Sequence, residues 1–347
     1  MASLAALKVN SYLFIFLLAL VGGAFVALIG IILQIPLIGM AFIFIILIFI
    51  YIMISSSVVK WTTGTRYLEK GEIPFLENIV EKLAREADVP TPRLGIVDDP
   101  TPNAFVFGLT QKGSTLSVHR GLLEQLNDSE IEAVLGHEIG HIRNRDCMYM
   151  TILSVIPLIA YYGMQLFLVA RFAPRGRNAG QAMLIILAIA IVSAITYFLS
   201  SLLIKKLSRI REYYADAYSA YITKDPHSLA SALTKITYGL SLAPPEVKSK
   251  ATARQFYIGN VQNAHQEIER IMSKKSEYDL DGDGVIDENE LEQAMAKEAK
   301  TSAWEAWGGL FRTHPPTFKR ILALKEMEKE MSSGRISEED IYEKVEF

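Results

Sequence analysis

Residues 136–141 read Gly-His-Glu-Ile-Gly-His. On a helix, His137 and His141 stand four residues apart on one face, so both imidazoles can reach one zinc ion. Glu138 then lies about 100° round the helix, beside the metal and not on it. That is the place for a general base acting on a zinc-bound water. The local sequence favours the helix. Ser129-Glu130-Ile131-Glu132 is a capping-box pattern, with Ser129 expected as N-cap and Glu132 at the third helical position. Ile131, Val134, Leu135 and Ile139 form an apolar stripe at helical spacing.

Such a zinc needs a third protein ligand and an open fourth position. Glu212, in Arg-Glu-Tyr-Tyr-Ala-Asp, is the candidate, and Asp216 one turn later shares its face. A carboxylate there suits the outer nitrogen of a ligating histidine. The blander role for Glu212 is pairing with Arg209 or Arg211.

The elements that must position these residues are unusual. Half of the 347 residues are hydrophobic, too apolar for an ordinary soluble protein. The net charge of −3 argues against a nucleic-acid partner, and the one cysteine, Cys147, excludes an intrachain disulfide. No charged residue occurs from Val9 to Val59, enough for two membrane helices near 12–33 and 37–55 with a hinge at Pro36. The run is too long for a cleaved signal peptide. Charge-free runs at 147–170 and 178–204 supply two further spans, joined by a loop holding Arg171, Arg175 and Arg177. Lys8, Lys60, Arg66, Lys70, Arg143, Arg145, Lys205, Lys206, Arg209 and Arg211 flank the opposite ends. The positive-inside rule therefore puts the termini and the zinc motif in the cytoplasm. Gly23, Ala27 and Gly30 form a small-residue face suited to packing the first span within the subunit.

Residues 11–56 and 147–204 are thus expected as paired transmembrane helices, and 57–146 and 205–347 as two parts of one peptidase domain. In the first part, 75–87 has helical periodicity, and 93–97, 103–108 and 114–119 read as short strands. The second part reads as mostly helical. If the helices bearing His141 and Glu212 run on from adjacent spans, each ligand sits about 9–12 Å beyond the membrane, at one height.

Taken together, the chain resembles the HtpX family of membrane zinc metalloproteases, relatives of the CaaX prenyl proteases. The resemblance rests on the paired N-terminal spans, Asn103-Ala104-Phe105, the HEIGH run followed by Asp146, the arginine-Glu212-Asp216 motif, Thr313-His314-Pro315-Pro316, and Arg320-Ile321. It implies that His137, His141 and Glu212 hold one catalytic Zn2+, that Glu138 is the base and that Asp216 supports a ligand. It places Asn103 and Ala104 on a substrate-binding edge strand. His314 and Arg320 become catalytic candidates, His314 as oxyanion donor or inhibitory fourth ligand. The implied partners are membrane-protein or unfolded-protein substrates at the bilayer, in quality control at the cell membrane. The fold class expected is mainly α with a small β-sheet: four transmembrane helices plus a zincin-type, gluzincin-like cytoplasmic metallopeptidase domain.

One stretch departs from that family. Residues 279–290 fit a calcium-binding EF-hand loop: Asp279, Asp281 and Asp283 at positions 1, 3 and 5, Gly284 at 6, the Val285 carbonyl at 7, Asp287 through water at 9 and Glu290 at 12. With helical flanks at 261–275 and 291–300 it reads as an EF-hand-like insertion over 261–300 holding one Ca2+, as a structural staple or as a regulator acting through nearby His314.

Overall fold

The computed structural model describes residues 4–170, 179–242, 258, 261–301 and 314–332. The chain is mainly helical with one small sheet. In order, its elements are α1 (Leu4–Leu33), α2 (Leu37–Thr63), β1 (Arg66–Tyr67), α3 (Pro74–Glu86), β2 (Arg93–Val97), β3 (Ala104–Phe107), β4 (Thr115–His119) and α4 (Arg120–Gln125). There follow α5 (Asp128–Arg143), α6 (Asp146–Ala170), α7 (Ala179–Thr223), α8 (Pro226–Ser241), α9 (Val261–Ser273), α10 (Lys275–Tyr278), α11 (Glu288–Thr301) and α12 (Thr317–Met331). The arginine loop at 171–178 and Thr313 lie outside the described residues. The chain divides into two compact units. One comprises Val9–Ser55 and Tyr149–Leu207; the other comprises Met1–Lys8, Ser56–Met148 and Ser208–Phe347.

Four helices are long and apolar enough to cross a bilayer: Val9–Leu33, Leu37–Thr63, Asp146–Ala170 and Gly180–Thr223. In the apolar unit, Leu18 packs with Leu153, Ile156 and Leu207, and Phe25 and Ile29 pack with Ala160 and Ile189. Of the expected small-residue face, Gly30 is buried, where a Cβ would meet Met40 at 3.0 Å, and Ala27 is half-buried, but Gly23 is not packed. Gly22 is buried, and a Cβ there would meet Ile156 at 3.0 Å, whereas Gly23 is exposed with nothing within 4 Å. Small size alone does not say which glycine of an adjacent pair faces a neighbour; the large residues on its face, here Leu18, Phe25 and Ile29, decide it. Between α1 and α2 the chain turns at Gln34 (φ 58°) and Pro36, where proline cannot continue the first helix.

In the other unit the sheet order is β1-β2-β4-β3. β1 and β2 are antiparallel, β2 and β4 parallel, β4 and β3 antiparallel, so β3 is an edge strand. The two-residue β1 carries no periodicity and was not expected. β3 pairs Ala104 with Val118 and Phe105 with Ser117, and Asn103 O accepts from His119 N at 2.9 Å. In an antiparallel ladder the inward-facing pairs alternate, so the main-chain groups of Phe105 and Phe107 face β4 and those of Ala104 and Val106 face away.

Helix α5 packs against β3, α3 and α8. Its N-cap is Asn127, not Ser129. The Asn127 side chain accepts from Glu130 N (3.0 Å), and the Glu130 carboxylate accepts from Asn127 N (2.9 Å). Both capping boxes are possible on paper. The earlier one also satisfies Glu130 from a second side, because Lys235 Nζ (2.7 Å) and Ser231 Oγ (2.5 Å) on α8 donate to it.

Candidate metal centre and active site

The histidine helix and the glutamate helix touch through small residues. A Cβ on Gly140 would stand 3.3 Å from Ala215 Cα and 3.2 Å from the Tyr218 ring; one on Gly136 would stand 3.1 Å from Ser219 Oγ. Ser219 Oγ in turn donates to Ala133 O (2.6 Å). The two glycines of the HEIGH region, four residues apart, thus let α7 lie close along α5 and bring Glu212 opposite both histidines.

The resulting cluster fits a tetrahedral metal. Nε2 of His137 and Nε2 of His141 are 3.2 Å apart; Glu212 Oε2 is 3.7 Å from the first and Oε1 is 3.7 Å from the second. A zinc bonded at 2.0–2.1 Å to each ligand would leave ligand atoms about 3.4 Å apart. Glu212 Oε2 is buried and makes no hydrogen bond, its ion-pair neighbour Arg320 Nη1 standing off at 3.4 Å, so the oxygen has capacity for a further cation. Burial lowers the pKa of both histidines, keeping them as the neutral imidazoles that metals require.

Each histidine has a carboxylate behind it, and each carboxylate has an arginine. His137 Nδ1 lies 2.9 Å from Asp216 Oδ1. Arg320 grips Asp216 with two parallel bonds, Nε to Oδ2 (2.7 Å) and Nη2 to Oδ1 (2.6 Å). His141 Nδ1 lies 2.8 Å from Asp146 Oδ2, and Arg211 Nη2 donates to Asp146 Oδ1 and to Asn144 O (3.0 Å). The Asp146–Arg211 arm was not anticipated from sequence. It depends on a break between α5 and α6. These helices do not run on as one: Arg145 adopts φ 56°, turning Asp146 back toward His141. The expectation that His141 sits on a continuous extension of the third span is therefore corrected. Glu212, by contrast, lies on α7, which is unbroken over its 45 residues.

Glu138 is buried, and its pKa is pushed up to about 8, first by burial and then by the Glu212 charge. Val106 N–H and the Arg320 charge oppose the rise. Val106 belongs to the edge strand, so the strand's outward-facing amide meets the expected base. His314 is buried, with Nε2 3.8 Å from Glu212 Oε1, and its pKa is driven down to about 3 by burial and the Arg320 charge.

The geometry bears on two of the expected roles. Arg320, a catalytic candidate, directs three of its nitrogens to Asp216 and to Ile258 O (Nη1, 2.6 Å), with Nη1 3.4 Å from Glu212 Oε2. The guanidinium lies against the Asp216 carboxylate behind His137, with Glu212 close by, because these are buried negative charges within its reach. Asn103 was expected to meet substrate, but its side chain is buried and Oδ1 accepts from Ile258 N (2.9 Å). Ala104 keeps its outward main-chain face. Cys147 is a half-buried free cysteine whose Sγ lies 3.4 Å from Val106 O.

The EF-hand-like loop stands apart from this centre. Asp279 accepts from Gly282 N (2.8 Å) and Gly284 N (2.9 Å), Asp281 from Asp283 N (3.1 Å), and Asp283 from Val285 N (2.6 Å). Gly284 takes φ 78°, the sharp turn that position 6 demands. Oxygens of Asp279, Asp281 and Asp283 lie within 4.8 Å of one another. The Glu290 carboxylate accepts from Leu280 N (2.5 Å) and Asp287 N (3.1 Å).

The chain is similar to known proteins over most of its length. The family model for peptidase family M48 matches residues 72–328. A protease HtpX homolog of Methanothermobacter thermautotrophicus is 41% identical over 194 residues, 56% of this chain and 71% of that protein. Protease HtpX homolog 2 of Methanosarcina acetivorans is 33% identical over 280 residues, 80% of this chain and 81% of that protein. The crystal structure of S. mikatae Ste24p shows a distant likeness, with TM-score 0.48 and 18% identity over 92% of this chain and 67% of that one. The chain belongs to peptidase family M48, as a membrane zinc metalloendopeptidase of the HtpX type.

Proposed function

We propose that this endopeptidase cuts membrane proteins and misfolded chains at the cytoplasmic face of the cell membrane, in membrane-protein quality control. The observation that carries the site assignment is the convergence of His137, His141 and Glu212 beside a buried Glu138 that is bonded to an edge strand. A bound zinc would supply Lewis-acid polarisation of water and of the scissile carbonyl. Asp216 and Asp146 would hold the outer nitrogens of the two histidines, fixing ring orientation. Glu138 takes a proton from water and returns it to the leaving amine. An extended substrate would add to β3 through the outward main chain of Ala104, with main-chain bonds giving affinity and side-chain pockets giving specificity. The neutral His314, with Nε2 3.8 Å from Glu212 Oε1, would offer one N–H to the carbonyl oxygen or would serve as a further ligand to a bound zinc at rest. The peptidase domain comprises 57–146 and 205–347, and the basic flanks of the spans support a cytoplasmic orientation.

The ligand assignment predicts one zinc per wild-type chain by metal analysis. His137→Ala and Glu212→Ala should each lose zinc and casein cleavage together. Full zinc in either variant would remove that residue from the ligand set.

The loop at 279–290 is assigned one Ca2+, held by Asp279, Asp281, Asp283, Val285 O, Asp287 and Glu290. As a staple, calcium should raise the melting temperature of the wild type and not of Glu290→Gln, with casein cleavage unchanged. As a regulator it would act through α11. Lys325 on α12 pairs with Glu292 (3.1 Å), and Ser231 Oγ bridges Glu288 and Glu130 at the start of α5. Cleavage that changes with calcium at constant folded fraction would favour regulation. No effect of calcium on either property removes the ion from the account.

A further inference from the structure

We propose that Asn103 is a positioning residue of the zinc site, tying the edge strand to Arg320 and Asp216 through the main chain of Ile258, and is not a contact for substrate. Both main-chain polar groups of Ile258 are engaged in opposite directions. Its N–H donates to Asn103 Oδ1 (2.9 Å), and its carbonyl accepts from Arg320 Nη1 (2.6 Å). Arg320 then grips Asp216, whose Oδ1 is 2.9 Å from His137 Nδ1. Asn103, His137, Asp216 and Arg320 are each no more than 2% exposed, and Ile258 is 3% exposed, so the series runs entirely inside the protein. What sets Asn103 apart is that its Oδ1 is committed to Ile258 N, whereas Ala104, equally buried, has its main-chain groups turned away from β4.

The physical consequence is directional. Without the Asn103 acceptor, the Ile258 N–H is left buried and unpaired. The residue shifts to recover a partner, and Arg320 loses the acceptor that sets the plane of its fork. The guanidinium fixes Asp216, and Asp216 fixes the His137 ring, so the loss is transmitted to the metal ligand. Partners of ligating histidines act on metal affinity in this way, typically by 10–100-fold.

This inference rests on His137, His141 and Glu212 being the zinc ligands. The zinc count of the wild type and of His137→Ala tests that reading independently of Asn103. For Asn103 itself, purified full-length variants are titrated with a zinc chelator, and KM and kcat for labelled casein are measured at saturating zinc. Asn103→Leu should weaken zinc binding roughly tenfold or more with KM unchanged. Asn103→Asp, which keeps an oxygen acceptor for Ile258, should restore zinc retention toward wild type. If the leucine variant does not unfold cooperatively, the smaller Asn103→Ala takes its place with the same expectation. A raised KM with zinc affinity unchanged would make Asn103 a substrate contact and overturn the proposal, as would zinc affinity and KM that both stay at wild-type values.

Discussion

Glu138→Gln is expected to abolish casein cleavage, by roughly 10²–10⁴-fold, while the purified protein keeps a full complement of zinc. The amide occupies the same space but cannot accept a proton from water. Zinc is retained because the carboxylate is a base beside the metal ligands and not one of them. Loss of zinc in this variant, or retained cleavage, would overturn the assignment.

The same substitution has a stability signature in the metal-free protein. Glu138 is raised from 4.5 to about 8 by burial and by Glu212, so the folded state holds its proton where the unfolded chain has released it. Such a group weakens the fold progressively as pH rises through that window. Glutamine does not titrate. Metal-free Glu138→Gln should therefore match the wild type near pH 4.5 and exceed it increasingly up to about pH 8, by as much as about 5 kcal/mol. Zinc adds positive charge beside the carboxylate and should narrow the gap. Denaturant melts at several pH values, with and without zinc, measure both effects. A stability difference that is flat from pH 5 to 8 is incompatible with a buried, protonated Glu138.

The second large effect belongs to Arg320. Arg320→Met removes one member of a fully buried ion pair and leaves Asp216, with Glu212 close by, without its counter-charge. Removing a single partner from such a pair costs about 3–5 kcal/mol. For a domain of this size that is a fall of about 6–20 °C in melting temperature. Arg320→Lys should recover only part of it, because one ammonium cannot reproduce two parallel bonds to Asp216 and a third to Ile258. Added zinc should recover more, since it again places positive charge against Glu212. If Arg320→Met melts like wild type, keeps its zinc and loses only kcat, the guanidinium is an oxyanion donor and the bracing role is wrong.

What could be read from the chain follows from how local each feature is. His137, Glu138 and His141 share one helical turn, so spacing alone relates them. Four apolar runs identify four spans because a bilayer's thickness translates directly into residue number. The three strands at 93–97, 103–108 and 114–119 were visible because each is bounded by proline or glycine turns. Errors came where two local solutions were nearly equal, as at Asn127 against Ser129, or Gly22 against Gly23, and packing chose between them.

Features spread along the chain were beyond that logic. Asp146 lies five residues past His141 in a stretch that reads as the start of a span, and only the left-handed turn at Arg145 brings it back to the imidazole. Arg320 stands 104 residues beyond Asp216, and Asn103 stands 155 residues before Ile258. No periodicity links such pairs. By itself, the sequence determined the heart of the chemistry, because His137, Glu138 and His141 sit at intervals set by helix geometry, while Glu212 comes from another helix. Tertiary structure alone decided how those groups are held: which arginine braces which carboxylate, and which asparagine anchors the brace, since a buried charge takes whatever partner the fold delivers to it.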